Sequence, residues 1–180
     1  MSSVPPRLQD VLADAVIASS AMLSRYLAGF DDHNRTRQAT GLPNHAAWCL
    51  GHLALTMHRA SERFGGEAVL PTLDFNAGSP RGDSSRFGTE SVGFGSTPTD
   101  DPSCYPVWAR CVAIFEAATE RLATAIRSAS DDAIVKPVAF FGGQSLPAWH
   151  AVPRIIFHNG THCGQLADLR RVLGMGSIFG

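Results

Sequence analysis

The sequence predicts an all-α fold, a four-helix bundle, formed by a single domain that comprises residues 1–180. Apolar residues recur at three- and four-residue steps in four separate segments, which is the spacing of amphipathic helices. No segment shows a convincing strand pattern. Hydrophobic residues make up 44% of the 180-residue chain and charged residues 17%, so one domain of this length can bury a substantial core.

The first two helices lie in the N-terminal third of the chain. The first is predicted from Leu8 to about Phe30, where a glycine and the polar run 31–40 end it. The second is predicted to begin at Asn44, a good N-terminal cap, and to run to about Arg63, shortly before two glycines. Both helices present one apolar face, which a bundle would bury.

A long connection follows the second helix. Residues 65–102 are rich in Gly, Ser, Pro, Thr and Asp and show no sustained periodicity. Connections of this length inside a compact domain usually cover a site or cross a bundle. A helix of about 20 residues is about 30 Å long, so the connection can return along the bundle and start the third helix parallel to the second.

The last two helices follow the connection. The third is predicted over residues 105–128, on a stripe of apolar residues. Residues 131–143 are predicted to be short irregular or weakly extended chain, and Ser145 then resembles a cap that opens a fourth helix running to about Leu173. Pro153 lies inside this helix, and we expect it to kink the helix or to displace its start.

Charge and composition narrow the function classes. The chain has 15 Lys and Arg against 16 Asp and Glu, a formal charge of -1, which argues against a nucleic-acid binder. Short basic runs such as residues 33–37 are interpreted as solvated loop. Nothing at the start of the given sequence looks like a secretory signal. No run approaches the roughly 18 apolar residues of a membrane span, and the 4 cysteines show no CxxC spacing. We therefore expect a cytoplasmic protein whose partner is a small molecule.

Two histidines, His158 and His162, turn to one face of the predicted fourth helix and can hold one metal ion. With 7 histidines in 180 residues, about 0.27 such pairs are expected by chance, so the pair alone is weak evidence. His52 of the second helix supplies a third ligand, which makes a site between two helices of a bundle. Spacing alone leaves two interpretations open, a metal site and three ordinary histidines satisfied by hydrogen bonds.

The chemistry of three imidazoles points to an open metal site. They suit zinc, nickel, copper or iron and leave at least one position free, so hydrolysis and thiol transfer are both accessible. Gln165 shares the face of the histidine pair, and we expect it to accept a hydrogen bond from a ligating ring or to contact substrate. His45 is an alternative ligand or acid-base group, although a capping or surface role is favoured. The remaining histidines are interpreted as structural or exposed: His33, His58 and His150.

Residues near the histidine pair can be interpreted as structural or as functional. Gly160 and Gly164 indicate a close approach, by another helix in preference to a ligand. Cys163 is interpreted as a small buried apolar residue. Arg154 and Arg59 are the charged groups expected to reach the site and to meet an anionic substrate.

Several stretches resemble the DinB/YfiT-like superfamily. They are residues 44–53 (NHAAWCLGHL), 158–166 (HNGTHCGQL), 94–98, 101–106 and 169–174. The resemblance covers roughly residues 8–174. It implies a four-helix bundle of up-down-down-up topology, often dimeric, in which one histidine of the second helix and two of the fourth hold a divalent metal. By motif these ligands are His52, His158 and His162.

The same resemblance implies a chemistry. Characterised relatives use low-molecular-weight thiols such as mycothiol or bacillithiol, as S-transferases or isomerases, with the metal activating the thiol. For this chain we therefore expect a zinc- or nickel-dependent enzyme, a homodimer, that activates a thiol or water against a small electrophile as a transferase or hydrolase. The alternative is a metal-binding or stress-response protein without catalysis.

Overall fold

Helices make up most of the computed structural model, which describes residues 5–140 and 143–179. In chain order the α-helices are α1 (Leu8–Arg25), α2 (Ala46–Ser61), α3 (Trp108–Ser128), the short α4 (Asp131–Val135) and α5 (Ala151–Val172). Three-residue 3-10 helices lie at Glu62–Phe64, Pro102–Cys104 and Ala148–His150. Within the described residues, no helix combines the length and the apolarity needed to cross a bilayer.

Two pairs of very short strands accompany the helices. β1 (Phe75–Asn76) and β2 (Phe87–Gly88) pair in parallel inside the long connection. β3 (Pro137–Ala139) and β4 (Ser145–Pro147) form an antiparallel ladder before α5. The sequence shows no convincing strand pattern at β1, β2 or β4, whereas β3 lies in the stretch 131–143 predicted to be irregular or weakly extended. Segments of two or three residues show no periodic pattern, so their pairing depends on tertiary contacts.

The four long helices share one apolar core. α3 packs against both α1 and α2, and α5 packs against the same two helices. Each contributes fully buried side chains, for example Leu23 of α1, Leu53 of α2, Leu122 of α3 and Leu166 of α5. Burial of one leucine contributes roughly 1.5–3 kcal/mol, so this core is the main source of stability and sets how α2 faces α5.

The ends of the first two helices differ from prediction in two respects. α1 ends at Arg25, earlier than predicted, and the chain turns through Gly29, whose φ of 84° suits a residue without a Cβ. The N-cap of α2 is His45 rather than Asn44, because His45 Nδ1 accepts a hydrogen bond from the Trp48 N–H at 3.1 Å. A histidine ring is outside the usual cap preferences, which favour its asparagine neighbour.

The fourth long helix starts later than predicted. Ser145 belongs to β4 and caps no helix, and α5 begins at Ala151. Pro153 is therefore the third residue of α5, in the first turn, where a backbone N–H has no partner within the helix. Of the two effects expected of Pro153, the structure shows the displaced start.

Buried charged side chains hold the long connection between α2 and α3 on the bundle. Arg35, predicted to lie in solvated loop, is buried and donates to the carbonyl oxygens of Pro106 at 2.8 Å and Pro102 at 3.0 Å. Asp74 is buried as well and pairs with Arg110 of α3 at 2.6 Å. Because an unpaired buried charge is costly, these contacts fix the path of the connection.

Candidate metal centre

Three histidine rings from two helices meet in the structure. His52 lies on α2, and His158 and His162 lie one turn apart on α5. Nε2 of His158 is 3.2 Å from Nε2 of His52 and 3.2 Å from Nε2 of His162. All three ligand atoms lie within 4.8 Å of one another. The fold thus brings together the three residues that the sequence pattern singles out.

The backbone carbonyl of Val92 orients His52. His52 Nδ1 lies 2.8 Å from the Val92 oxygen. A carbonyl can only accept a hydrogen bond, so Nδ1 carries the proton and Nε2 keeps its lone pair. Ligating histidines typically donate their second N–H to such an acceptor. No sequence signal marks this contact, because every residue presents a carbonyl.

Gly51 lets the long connection come this close to α2. A Cβ built on Gly51 would lie 2.7 Å from Phe87 Cδ1 and 2.8 Å from Val92 Cγ1, which is closer than non-bonded carbon atoms pack. Phe87 and Val92 are both buried against the helix. A glycine inside an apolar helical pattern marks a close approach, and this signal in the sequence could have identified the contact beside His52.

Burial keeps the three imidazoles neutral. It lowers the pKa of His158 to about 4 and that of His162 to about 3, with smaller contributions from the neighbouring rings. The pKa of His52 is also lowered, chiefly by burial; the Val92 carbonyl opposes this effect and the charge of Arg59 adds to it. Neutral imidazole is the form that binds metals. Near neutral pH the rings therefore offer lone pairs to an ion.

Trp48 forms one wall of the centre. Its ring stacks on His52 with centroids 4.6 Å apart and planes inclined by 10°, and it lies 6.0 Å from the His162 ring. Trp48 Nε1 donates to Ser96 Oγ at 2.9 Å, which holds the indole in place. Trp48 is buried, whereas His158 is the most exposed of the three histidines. Solvent therefore reaches the rings from the side of His158.

Gln165 lies beside the centre but is engaged elsewhere. Its Oε1 accepts a hydrogen bond from Asn44 Nδ2 at 2.9 Å and lies 3.9 Å from Cys49 Sγ. Gln165 is near enough to His162 to oppose the lowering of its pKa. Even so, His162 Nδ1 is buried without a hydrogen-bonding partner among the described residues. The hydrogen bond expected between Gln165 and a ligating ring is therefore not formed at His162 Nδ1.

The other histidines do not join the cluster. His45 is fully buried and uses both ring nitrogens, since Nδ1 caps α2 and Nε2 lies 2.9 Å from the Thr99 oxygen. It acts as a cap rather than as a ligand. The remaining histidines have structural or exposed positions: His58 is buried, His150 is half-buried and His33 is exposed.

The outer face of α5 differs from the expectation for its glycines. Gly160 and Gly164 are exposed, and a Cβ built on either would meet no atom of the described residues within 4 Å. The predicted close packing against another helix of this chain is therefore wrong. Cys163 is half-buried rather than buried, and burial raises its pKa.

The donor set fits a divalent transition metal. Zinc–nitrogen bonds of roughly 2.0–2.1 Å in a tetrahedral arrangement place two ligand nitrogens about 3.3 Å apart. The Nε2 atoms of His158 and each of its two neighbours are separated by 3.2 Å. Neutral imidazole donors suit zinc, nickel, copper or iron. The three histidines could therefore hold a metal ion.

Comparison with protein families decides the assignment. The family model of the DinB superfamily matches residues 16–166, a span that contains all three histidines. The chain belongs to the DinB superfamily. The resemblance noted in the sequence is thereby confirmed, whereas comparison with the curated proteins gives no significant match.

Solved structures share the fold of this DinB-superfamily protein. A conserved protein from Enterococcus faecalis is 10% identical, with a TM-score of 0.64 over 93% of this chain and 98% of that one. A mycothiol-dependent maleylpyruvate isomerase is 15% identical, with a TM-score of 0.59 over 92% of this chain and 63% of the isomerase. A histidine-to-alanine mutant of a mycothiol-dependent maleylpyruvate isomerase is 18% identical, with a TM-score of 0.58. At these identities the likeness shows the fold alone, and the chain spans less than two thirds of the isomerase.

Proposed function

We propose that this protein is a metal-dependent enzyme in which His52, His158 and His162 hold zinc or nickel and a low-molecular-weight thiol or water is activated against a small electrophile. The observation that carries the proposal is the convergence of three imidazole nitrogens at metal-ligand spacing between α2 and α5. Membership of the DinB superfamily, and a fold shared with a mycothiol-dependent isomerase, support a thiol as cosubstrate.

The residues of the centre prepare it for an ion in three ways. Burial keeps the imidazoles deprotonated, the Val92 carbonyl holds His52 in the tautomer with a free Nε2, and Trp48 closes one side. A divalent metal held by three neutral nitrogens keeps its full charge and an open position, which lowers the pKa of a thiol or water that binds there. Substrates reach the centre past His158, the most exposed of the three rings.

The protein's own thiols are unsuited to act as the nucleophile. Burial raises the pKa of Cys49 and that of Cys111 to about 12, so both stay protonated near neutral pH. Burial also raises the pKa of Cys104 and of Cys163. These pKa shifts favour a nucleophile from outside the chain, a small thiol or water.

Metal content of tag-free protein is the first test. Inductively coupled plasma mass spectrometry should find about one equivalent of zinc or nickel in the wild type and none in the His52→Ala/His158→Ala variant. A His33→Ala/His150→Ala variant removes two histidines outside the cluster and should keep its metal. A wild-type protein that takes up neither ion after incubation would refute the proposal.

Thiol consumption separates an enzyme from a metal-binding protein without catalysis. Metal-loaded wild type should consume a small thiol in the presence of a model electrophile, and His158→Ala should abolish the reaction. Metal uptake without turnover across a panel of thiols would favour the alternative, a metal-binding or stress-response protein. Turnover that persists in His158→Ala would place the reaction outside the histidine cluster.

We also propose that the protein is a cytoplasmic homodimer whose bundle has up-down-down-up topology. Free cysteines are typical of a reducing compartment. On the outer face of α5, Phe157 is 78% exposed, and Gly160 and Gly164 leave room beside it for a second copy. The connection between α2 and α3 is long enough to cross the bundle, which the proposed topology requires.

A further inference from the structure

An open groove of about 500 Å³ lies near the C-terminal end of α2. The residues that line it are Arg59, Glu62, Arg63, Val138 and Ala139. Arg59 belongs to α2, Glu62 and Arg63 to the 3-10 turn that follows it, and the two apolar residues belong to β3. The groove thus combines two guanidinium groups and one carboxylate with a short apolar wall.

The arginines of this groove lack ion-pair partners. Within the described residues neither Arg59 nor Arg63 forms an ion pair, whereas six other arginines pair with aspartates. Arg63 Nε is buried and has no hydrogen-bonding partner in the described part of the chain. A buried donor without an acceptor costs free energy.

Phe140, directly after β3, orients two of the guanidinium groups near the groove. Arg63 Cζ lies 5.2 Å from the centre of the Phe140 ring, and Arg154 Cζ of α5 lies 4.6 Å from it. Arg154 also donates to Gln144 Oε1 at 3.1 Å. A cation–π contact holds the plane of a guanidinium and leaves N–H groups at its edge available to an acceptor.

The groove has a defined position relative to the histidine cluster. Arg59 follows His52 by seven residues on α2, which puts both on one face, about 10 Å apart along the helix axis. Arg154 precedes His158 by one turn of α5. Arginines from both ligand helices therefore flank the centre.

We propose that this arginine groove binds one carboxylate of the substrate or of the thiol, at the end of that molecule remote from the atom that reacts at the metal centre. The inference rests on the proposed function. Arginine suits a carboxylate because its planar N–H groups can bond both oxygens. Glu62 lines the same groove, and its negative charge favours a monoanion over a phosphate dianion. Val138 and Ala139 suit the hydrocarbon segment that joins the two ends of such a molecule.

Matched acids and amides test the groove in the metal-loaded protein. Cobalt-loaded protein is titrated with 6-mercaptohexanoate and with 6-mercaptohexanamide, and the thiolate-to-cobalt absorption band reports binding at the centre. Wild type should bind the acid about tenfold or more tightly than the amide. The Arg59→Gln/Arg63→Gln variant should reduce this preference to about twofold or less while metal content and amide affinity stay unchanged. Arg171→Gln, at an exposed position of α5, is the matched control and should keep the full preference.

Metal-free protein separates the groove from the histidine cluster. Hexanoate and hexanamide are titrated by NMR, and the preference for the acid should persist without metal and disappear in Arg59→Gln/Arg63→Gln. If the protein prefers hexanoate to hexanamide but does not prefer 6-mercaptohexanoate to 6-mercaptohexanamide, the bound carboxylate belongs to the electrophile and not to the thiol. If the protein takes up no metal but still prefers hexanoate to hexanamide, the proposed function is refuted and the carboxylate site is supported. The proposed carboxylate site would be refuted if no titration showed a preference for the acid, or if Arg59→Gln/Arg63→Gln left that preference unchanged.

Discussion

Replacing His45 by asparagine should remove one defined contribution to the protein's sensitivity to acid. His45 is fully buried, accepts a hydrogen bond from the Trp48 N–H at Nδ1 and lies 2.9 Å from the Thr99 oxygen at Nε2. A second proton on the ring would turn the acceptor Nδ1 into a donor that faces another N–H group. Burial accordingly lowers the pKa of His45 from 6.5 to about 4.

The sign and the size of the effect follow from this shift. The pKa in the folded protein lies below that of the unfolded chain, so the contribution of His45 to stability is complete above pH 6.5 and is lost as the pH falls towards about 4. One pKa unit corresponds to about 1.4 kcal/mol. Between about pH 7.5 and about pH 5, proton uptake by the unfolded chain at this position should remove about 2 kcal/mol from the free energy of unfolding.

Urea unfolding of metal-free protein at both pH values measures the difference. Asparagine is a good helix cap that does not titrate in this range, so His45→Asn should lose about 2 kcal/mol less than the wild type does. The other buried histidines are present in both proteins, and their contributions cancel. His33→Asn, at an exposed position, should behave like the wild type. Equal losses in wild type and His45→Asn would refute the reasoning.

Three further predictions concern the long connection and α5. Gly51→Ala should lower the free energy of unfolding by about 1–3 kcal/mol and weaken zinc binding, because the new Cβ displaces Phe87 and Val92. Zinc affinity is measured by competition with a chelator, and an unchanged affinity would contradict the role of the Val92 carbonyl. Asp74→Asn should cost about 2–3 kcal/mol in urea unfolding, because it breaks ion pairs with two half-buried arginines of α3; a fully stable variant would show that these pairs do not anchor the connection. Gly164→Arg should convert the proposed dimer to a monomer in light scattering, and an unchanged dimer mass would exclude this face as the interface.

The long helices and the histidine pair could be predicted because each leaves a local trace in the sequence. Helical periodicity reports which face is buried. His158 and His162 share a helix face whatever the tertiary structure, because they are four residues apart. His52 required one further step, that α2 packs against α5, which the apolar faces of both helices favour and the structure shows.

The remaining features depend on groups that are distant in sequence. The Val92 carbonyl has no side-chain signature, and strands of two or three residues have no period. His45 takes the cap position from Asn44 because the Thr99 carbonyl, on another segment, satisfies the far side of its ring. The prediction that another helix packs at Gly160 is wrong because a helix glycine shows only that there is room for a neighbouring group. It does not show whether that group belongs to the same chain.

The histidine cluster joins parts of the chain that are synthesised far apart. His52 and His158 are separated by 106 residues, so their nitrogens meet only after α2 and α5 have both docked on the core. Contacts between residues this distant are slow to form during folding. Nascent or truncated chains that lack α5 would therefore hold an ion no better than isolated imidazoles do. Metal bound at this cluster would thus be found only in molecules whose folding is complete.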